Sequence, residues 1–153
     1  MIDDQPAIVE ILSRLLTRQG YTVSSAPDGL AGLEAVGSDG PDVILLDVSM
    51  PGMSGLEVCR RLKSDISTRF TPVVLVTGER DPHLLTEAAN AGADNVIAKP
   101  VVADELVARV RSLVKLKRDT DNLESVEVVM TTLAVTIEAR DPCTKGHCER
   151  LAA

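Results

Sequence analysis

Two short runs of apolar residues, each followed by a polar side chain, limit most strongly what this chain can fold into. The first run occupies residues 43–46 and is followed by Asp47, and the second occupies residues 73–76 and is followed by Thr77. Continuous apolar runs of this length are typical of strands that are covered on both faces, as they are in a parallel sheet. The sequence therefore predicts buried parallel strands whose ends carry reactive groups.

Helical patterns separate the strand-like runs. Segments with the periodicity of amphipathic helices lie after Pro6, over residues 30–36, 56–62 and 82–91, and from Ala103 onward. Gly37 is predicted to close the second of these helices. Residues 21–25 and 95–98 are predicted to be further strands. Because strand and helix alternate, the predicted class is α/β, with a doubly wound parallel sheet.

Composition excludes some functions. The formal net charge is −7, and the chain has one Tyr, one Phe and no Trp, so it would repel a phosphate backbone and has little with which to stack on bases. Direct binding of nucleic acid is therefore not expected. The sequence shows no signal peptide and no membrane-spanning run, and its three cysteines lack the spacing of a disulfide framework. We expect a cytoplasmic protein that does not bind membranes.

Reactive side chains follow several of the predicted strands. Because the carboxyl ends of parallel strands meet at one edge of a sheet, we expect these side chains to converge. They are Asp3, Asp4, Asp47, Thr77 and Lys99. Carboxylates gathered in one crevice repel each other unless a divalent cation such as Mg²⁺ lies among them. With such an ion, Asp47 could attack phosphorus as an oxygen nucleophile, while Lys99 and Thr77 hold phosphoryl oxygens.

This set of residues resembles the receiver family of two-component response regulators. The resemblance runs from Ile2 to about Lys117, and it rests on the order and spacing of Asp3-Asp4, residues 45–55, Thr77 and Lys99-Pro100. It implies a flavodoxin-like fold with strand order 2-1-3-4-5. It also implies a phosphorelay function, in which a sensor histidine kinase supplies the phosphoryl group.

The resemblance assigns a role to each residue of the metal site. Asp47 would be the phosphoacceptor and would also contact the Mg²⁺ ion. Asp4 would be a direct ligand of the ion, and Asp3 would bind it through water. The backbone carbonyl of Ser49 would be the remaining protein ligand.

The resemblance also assigns the phosphoryl contacts. Thr77 would be the switch hydroxyl that moves toward the phosphoryl group, and Lys99 would contact a phosphoryl oxygen. The peptide bond before Pro100 would be cis.

The sequence departs from the family in two places. Val96 stands where many receivers carry an aromatic residue that moves on activation, so the signal is expected to pass through the helix and strand after Thr77 instead. In addition, only Met1 and Ile2 precede the acid pair, so the first strand of the family is expected to be largely missing from this chain.

The helical pattern from Ala103 continues to about Glu138 without Gly or Pro. Apolar residues recur every seven positions in it, and the alternating positions are more mixed. The two sets are Leu116, Leu123, Met130 and Ile137, and Leu113, Thr120, Glu127 and Ala134. The pattern predicts either a parallel two-stranded coiled coil, which would make a homodimer, or a helix packed against its own domain.

The C-terminal stretch, residues 137–151, resembles the opening of an HD-GYP domain, an output module that hydrolyses cyclic di-GMP. The predicted domains are a receiver over 1–117, a linker helix over 118–139, and the truncated start of the output domain over 140–153. The motifs that name the HD-GYP family are absent, so this chain is not expected to be an enzyme, whereas the parent protein would be a phosphodiesterase.

Two other classes of protein are weighed against the receiver. A phosphatase of the haloacid dehalogenase type also uses a nucleophilic Asp, but it needs a second Asp where this chain has Ser49. A pseudo-receiver would act only as a dimerisation module, and the complete set of acids argues against it. A single Asp at a strand end is usually a cap or a solvated turn residue, so the receiver prediction depends on the combination.

Overall fold

The computed structural model of the chain describes residues 1–78 and 82–140. Within these residues two helices come first, and strands and helices then alternate. The helices are α1 (Pro6–Arg18), α2 (Gly29–Asp39), α3 (Gly55–Ser64), α4 (Pro82–Asn90) and α5 (Ala103–Arg140), and the strands are β1 (Ile44–Asp47), β2 (Val73–Thr77) and β3 (Asn95–Ala98). The chain divides into two compact units, of which the first ends at Lys117 and the second begins at Arg118. None of the helices in the described ranges is long and apolar enough to cross a membrane.

The sheet has the predicted parallel order. β1 pairs with β2 and β2 pairs with β3, both in parallel. Ile2 forms isolated parallel bridges to Leu46 on one side and to Ala26 on the other. Ile2 and Ala26 can be counted as the remnants of a first and a second strand, with β1, β2 and β3 as the third, fourth and fifth. The spatial order of these five strands is then 2-1-3-4-5. The predicted fold class is confirmed.

The predicted strand over residues 21–25 is wrong, because in this region only Ala26 forms a bridge. Ala26 N donates to Met1 O at 2.9 Å, and Asp3 N donates to Ala26 O at 3.2 Å. A strand needs a run of neighbouring backbone with which to pair, and here the pairing is confined to the single bridge between Ile2 and Ala26. The expectation of a largely missing first strand therefore corresponds to a single bridging residue, Ile2.

Helices cover both faces of the sheet, and successive strand residues belong to different cores. One core contains Ile44, Leu46, Val73 and Leu75 together with buried residues of α2, α3 and α4. The other contains Leu45, Val74 and Ile97 together with buried residues of α1 and α5, and Tyr21 packs against it. Because side chains alternate across a strand, both faces of each strand are apolar, which explains the continuous apolar runs.

The end of α2 differs from the prediction. Gly37 lies inside the helix, which continues to Asp39, and Gly40 follows with a φ of 56°. Gly40 therefore provides the left-handed conformation that commonly ends a helix, and its N–H donates to Val36 O. At the start of α2 the side chain of Asp28 accepts a hydrogen bond from Ala31 N and caps the helix.

Gly55 brings the start of α3 against the end of β1. Its N–H donates to Val48 O at 2.9 Å, and a Cβ atom at this position would overlap with the carbonyl oxygen of Asp47. Glycine is therefore required here by the close approach of two backbone segments. The approach holds Asp47 at the edge of the sheet.

We predict that Gly55→Ala lowers the free energy of unfolding by about 1–3 kcal/mol, the usual cost of overpacking. The matched control is Gly37→Ala, because Gly37 is helical and a Cβ atom there would meet open space. This control should raise the free energy of unfolding by about 0.5–1 kcal/mol. Urea unfolding followed by circular dichroism measures both, and equal effects of the two substitutions would contradict the assigned role of Gly55.

Candidate functional site

The reactive side chains meet at the carboxyl edge of the sheet. Asp47 is the last residue of β1, Thr77 is the last residue of β2, and Lys99 directly follows β3. Asp3 and Asp4 directly follow Ile2, which pairs with Leu46 in parallel. Parallel strands end at the same edge of a sheet, so the fold brings together the groups that the sequence places far apart.

The three acids form a tight cluster. One carboxylate oxygen from each of Asp3, Asp4 and Asp47 lies within 4.8 Å of the others. Asp3 and Asp47 are buried, with 4% and 2% of their surface exposed, and Asp4 is half-buried. The Oδ1 atom of Asp4 is buried and has no hydrogen-bond partner. A buried carboxylate oxygen without a partner is costly, and a divalent cation would satisfy it.

The donor set also fits Mg²⁺, which prefers oxygen ligands and is usually bound through one or two carboxylates. The residues that could hold the ion are Asp3, Asp4 and Asp47. Receiver domains generally bind Mg²⁺ through acidic residues, and this chain has such a group of acids. The chemistry of the cluster is therefore compatible with a magnesium site.

Backbone N–H groups orient two of the carboxylates. Gln5 N donates to Asp3 Oδ1 at 2.8 Å, and Ser49 N donates to Asp47 Oδ2 at 3.0 Å. The identity of the donor residue predicts neither contact, because any residue except proline offers the same N–H. The only sequence signal is the position of the donor, two residues after the acid, as in an Asx-turn.

Lys99 compensates part of the negative charge. Its Nζ lies 2.7 Å from Asp47 Oδ1 and 3.5 Å from Asp3 Oδ2. Burial disfavours the charged amine, but the hydrogen bond and charge of Asp47, together with the charge of Asp3, outweigh it and raise the pKa of Lys99. A raised pKa means that this ion pair stabilises the fold at neutral pH and loses its effect only above the usual pKa of lysine.

The remaining predicted site residues are also near this edge. Thr77 is buried, with 2% of its surface exposed. Ser49 follows Asp47 by two residues, and the Lys99–Pro100 peptide bond is cis, as predicted. Val96 is half-buried and packs against the core that contains α2, α3 and α4. An aliphatic side chain therefore stands at the position where the resemblance implies an aromatic one.

Comparison with known proteins identifies the family. The family model described as the response regulator receiver domain matches residues 1–111. The chain belongs to the response-regulator receiver family. It is 37% identical over 145 residues to Response regulator MprA of Mycobacterium avium (strain 104), with 95% of this chain and 60% of that protein covered.

Two further relatives agree. Response regulator PleD of Caulobacter vibrioides (strain NA1000 / CB15N) is 43% identical over 127 residues, which cover 83% of this chain and 28% of that protein. The crystal structure of a CheY-like response regulator receiver domain protein from Methanospirillum hungatei JF-1 superposes with a TM-score of 0.73 at 25% identity, and covers 78% of this chain and 94% of that one. The chain thus spans only part of the length of the curated relatives.

We predict that Mg²⁺ stabilises the folded chain through the acidic cluster. At 100 times its dissociation constant the ion should raise the free energy of unfolding by about 2.7 kcal/mol. Asp4→Asn should remove most of this gain. Glu34→Gln is the control, because it makes the same change of charge on the exposed surface of α2. Urea unfolding with and without Mg²⁺ measures the effect, and an equal response of the two variants would contradict a site at Asp4.

Proposed function

We propose that this chain is a receiver that accepts a phosphoryl group on Asp47 from the phosphohistidine of a sensor histidine kinase. One observation carries the proposal: the carboxylate of Asp47 ends a buried strand beside two further carboxylates, with the Lys99 ammonium 2.7 Å from its Oδ1. A nucleophile, a cationic partner and an oxygen-rich cation site are thus combined. Membership of the receiver family supports the same function.

In the proposed reaction a carboxylate oxygen of Asp47 forms a bond to phosphorus while the bond between phosphorus and the imidazole nitrogen of the kinase histidine breaks. The imidazole leaves with the electron pair of that bond. Ser49 N orients the carboxylate through its contact with Oδ2. Lys99, which is paired with Oδ1 before the reaction, would hold a phosphoryl oxygen after it. Bound Mg²⁺ would supply positive charge that offsets the negative charge of the phosphoryl group.

The remaining roles are proposed from the family resemblance. Asp4 would be a direct Mg²⁺ ligand, Asp3 would act through water, and the carbonyl of Ser49 would be the third protein ligand. Thr77, at the end of the neighbouring strand, would donate its hydroxyl to the phosphoryl group. Because Val96 offers no aromatic switch, we propose that the change spreads from Thr77 into the segment that follows it.

We predict that the purified chain gains one phosphoryl group when it is incubated with acetyl phosphate and Mg²⁺. The gain should require Mg²⁺ and should be labile, because an acyl phosphate hydrolyses readily. Asp47→Asn should abolish it, because an amide is a poor nucleophile, whereas Glu34→Gln should leave it unchanged. Intact mass spectrometry measures the gain directly.

Each other outcome of this experiment would favour a different acceptor residue or a different class of protein. A folded chain that gains no phosphoryl group would be a pseudo-receiver that works without phosphorylation. A gain that persists in Asp47→Asn would mean that another residue is the acceptor. Continuous release of phosphate, with the phosphoryl group on Asp47 hydrolysed too fast to accumulate, would favour a phosphatase of the haloacid dehalogenase type.

We also predict that Lys99→Met slows phosphorylation by about 10- to 100-fold, because a hydrogen bond to a charged group contributes about 1.5–3 kcal/mol. Lys115→Met, which removes an exposed lysine of α5, is the control and should react at the normal rate. The rate is read from a time course of intact mass. A rate that is unchanged in Lys99→Met would show that its amine does not contact the phosphoryl group.

The proposed organisation follows the sequence. Residues 1–117 would form the receiver and 118–139 the linker helix of a homodimer. Residues 140–153 would begin an HD-GYP-like output domain that hydrolyses cyclic di-GMP in the parent protein. That proposal depends on the resemblance of residues 137–151 alone, and residues 141–153 lie outside the described residues. We propose a cytoplasmic location, without direct contact of this chain with nucleic acid or membranes.

A further inference from the structure

The C-terminal part of α5 presents a continuous apolar stripe to solvent. Leu123, Val126, Met130 and Leu133 are all more than half exposed, at 72%, 57%, 65% and 53%. Large apolar side chains are rarely left exposed in a row, and such surfaces usually mark an interaction site. The stripe therefore needs a partner.

The spacing of the stripe indicates what kind of partner. Its residues alternate three and four positions apart, which gives an average period of 3.5 residues. An apolar row with this period stays on the contact side of a helix only when two such helices wrap around each other. The best match is a helix with the same spacing, and a second copy of this chain supplies one.

The alternating positions of this seam differ from those predicted first. Val126 and Leu133 lie in it, whereas Thr120 and Glu127 lie beside it. The apolar row begins at Leu123, because Asp119, four residues earlier, occupies the preceding position of the seam. The exposed residues therefore define a seam, apolar from Leu123 to Leu133, that differs from the one predicted from the heptad spacing.

The residues that flank the seam favour a parallel arrangement. In a parallel pair, Asn122 of one helix lies beside Glu127 of the other, at the flanking positions that set orientation in coiled coils. In the antiparallel pair that aligns Leu123 with Leu133, the two Glu127 side chains lie beside each other and repel. The parallel pair replaces this repulsion with a contact between an amide and a carboxylate.

We propose that Leu123, Val126, Met130 and Leu133 form the seam of a parallel two-stranded coiled coil with a second copy of this chain. The inference deepens the receiver proposal by assigning the contact residues of its homodimeric linker helix, and it rests on that proposal only for its role in signalling. Val128 is as exposed as the seam residues, at 65%, but it lies on the opposite side of the helix and is outside the seam.

The first test is the oligomeric state of the full chain by sedimentation equilibrium. The unmodified chain should be a dimer, and Leu123→Glu should weaken the dimer by at least about 30-fold, the change that corresponds to the loss of a hot-spot residue. Val128→Glu is the matched control and should change dimerisation less than about threefold. A monomeric unmodified chain, or equal effects of the two variants, would overturn the proposed seam.

The second test is disulfide cross-linking, which reports orientation. Cys143 and Cys148 are first replaced by serine, and Cys59 is buried and can remain. Leu123→Cys should then form a cross-linked dimer by itself, and Val128→Cys should not. Cross-linking only when Leu123→Cys is mixed with Leu133→Cys would show an antiparallel pair and overturn the proposal.

The intact mass of the same samples after acetyl phosphate treatment keeps the two proposals separate. A monomer that is phosphorylated on Asp47 would contradict the coiled-coil proposal and support the receiver proposal. A dimer that is not phosphorylated would contradict the receiver proposal and support the coiled-coil proposal. Leu123→Glu should be phosphorylated normally, which also shows that this variant is folded.

Discussion

Electrostatic balance at the carboxyl edge of the sheet is the constraint on which the rest of the structure depends. Two unit charges about 4 Å apart interact by about 4 kcal/mol at an effective dielectric constant of 20, so a cluster of three carboxylates is costly without compensation. Lys99 compensates Asp47 and, more weakly, Asp3. The unpaired oxygen of Asp4 remains. The proposed cation site and the proposed phosphoryl acceptor therefore lie within one cluster of negative charge that Lys99 compensates only in part.

The fold brings these charged side chains together and fixes their positions. Asp47 and Thr77 end strands whose apolar side chains are buried in two separate cores, and Lys99 follows the third strand. The close approach of Gly55 to the backbone of Asp47 removes further freedom at the most important strand end. A site built on such elements is oriented before any ligand arrives, so less of the binding energy is needed for ordering the side chains.

Much of this arrangement could be predicted from the sequence, because apolar strands and the residues at their ends are local signals. β1, β2 and β3 lie within the predicted segments. The failures have a common cause, since each depended on a distant or geometric partner. Residues 21–25 have strand-like composition but little backbone to pair with, and Gly37 has a helical neighbourhood that overrides its tendency to end helices. The N–H groups that orient Asp3 and Asp47 carry no residue identity at all.

The chain has few aromatic residues, and their positions make one of them useful as a spectroscopic probe. Tyr21 is the only tyrosine of the chain, there is no tryptophan, and its ring packs against the core formed with α1 and α5. Phe70, the other aromatic residue, is half exposed beneath the guanidinium of Arg69. The phenol of Tyr21 is therefore a natural fluorescent probe that needs no labelling. Its emission reports on one side of the sheet, so a rearrangement confined to α2, α3 and α4 would leave that emission unchanged.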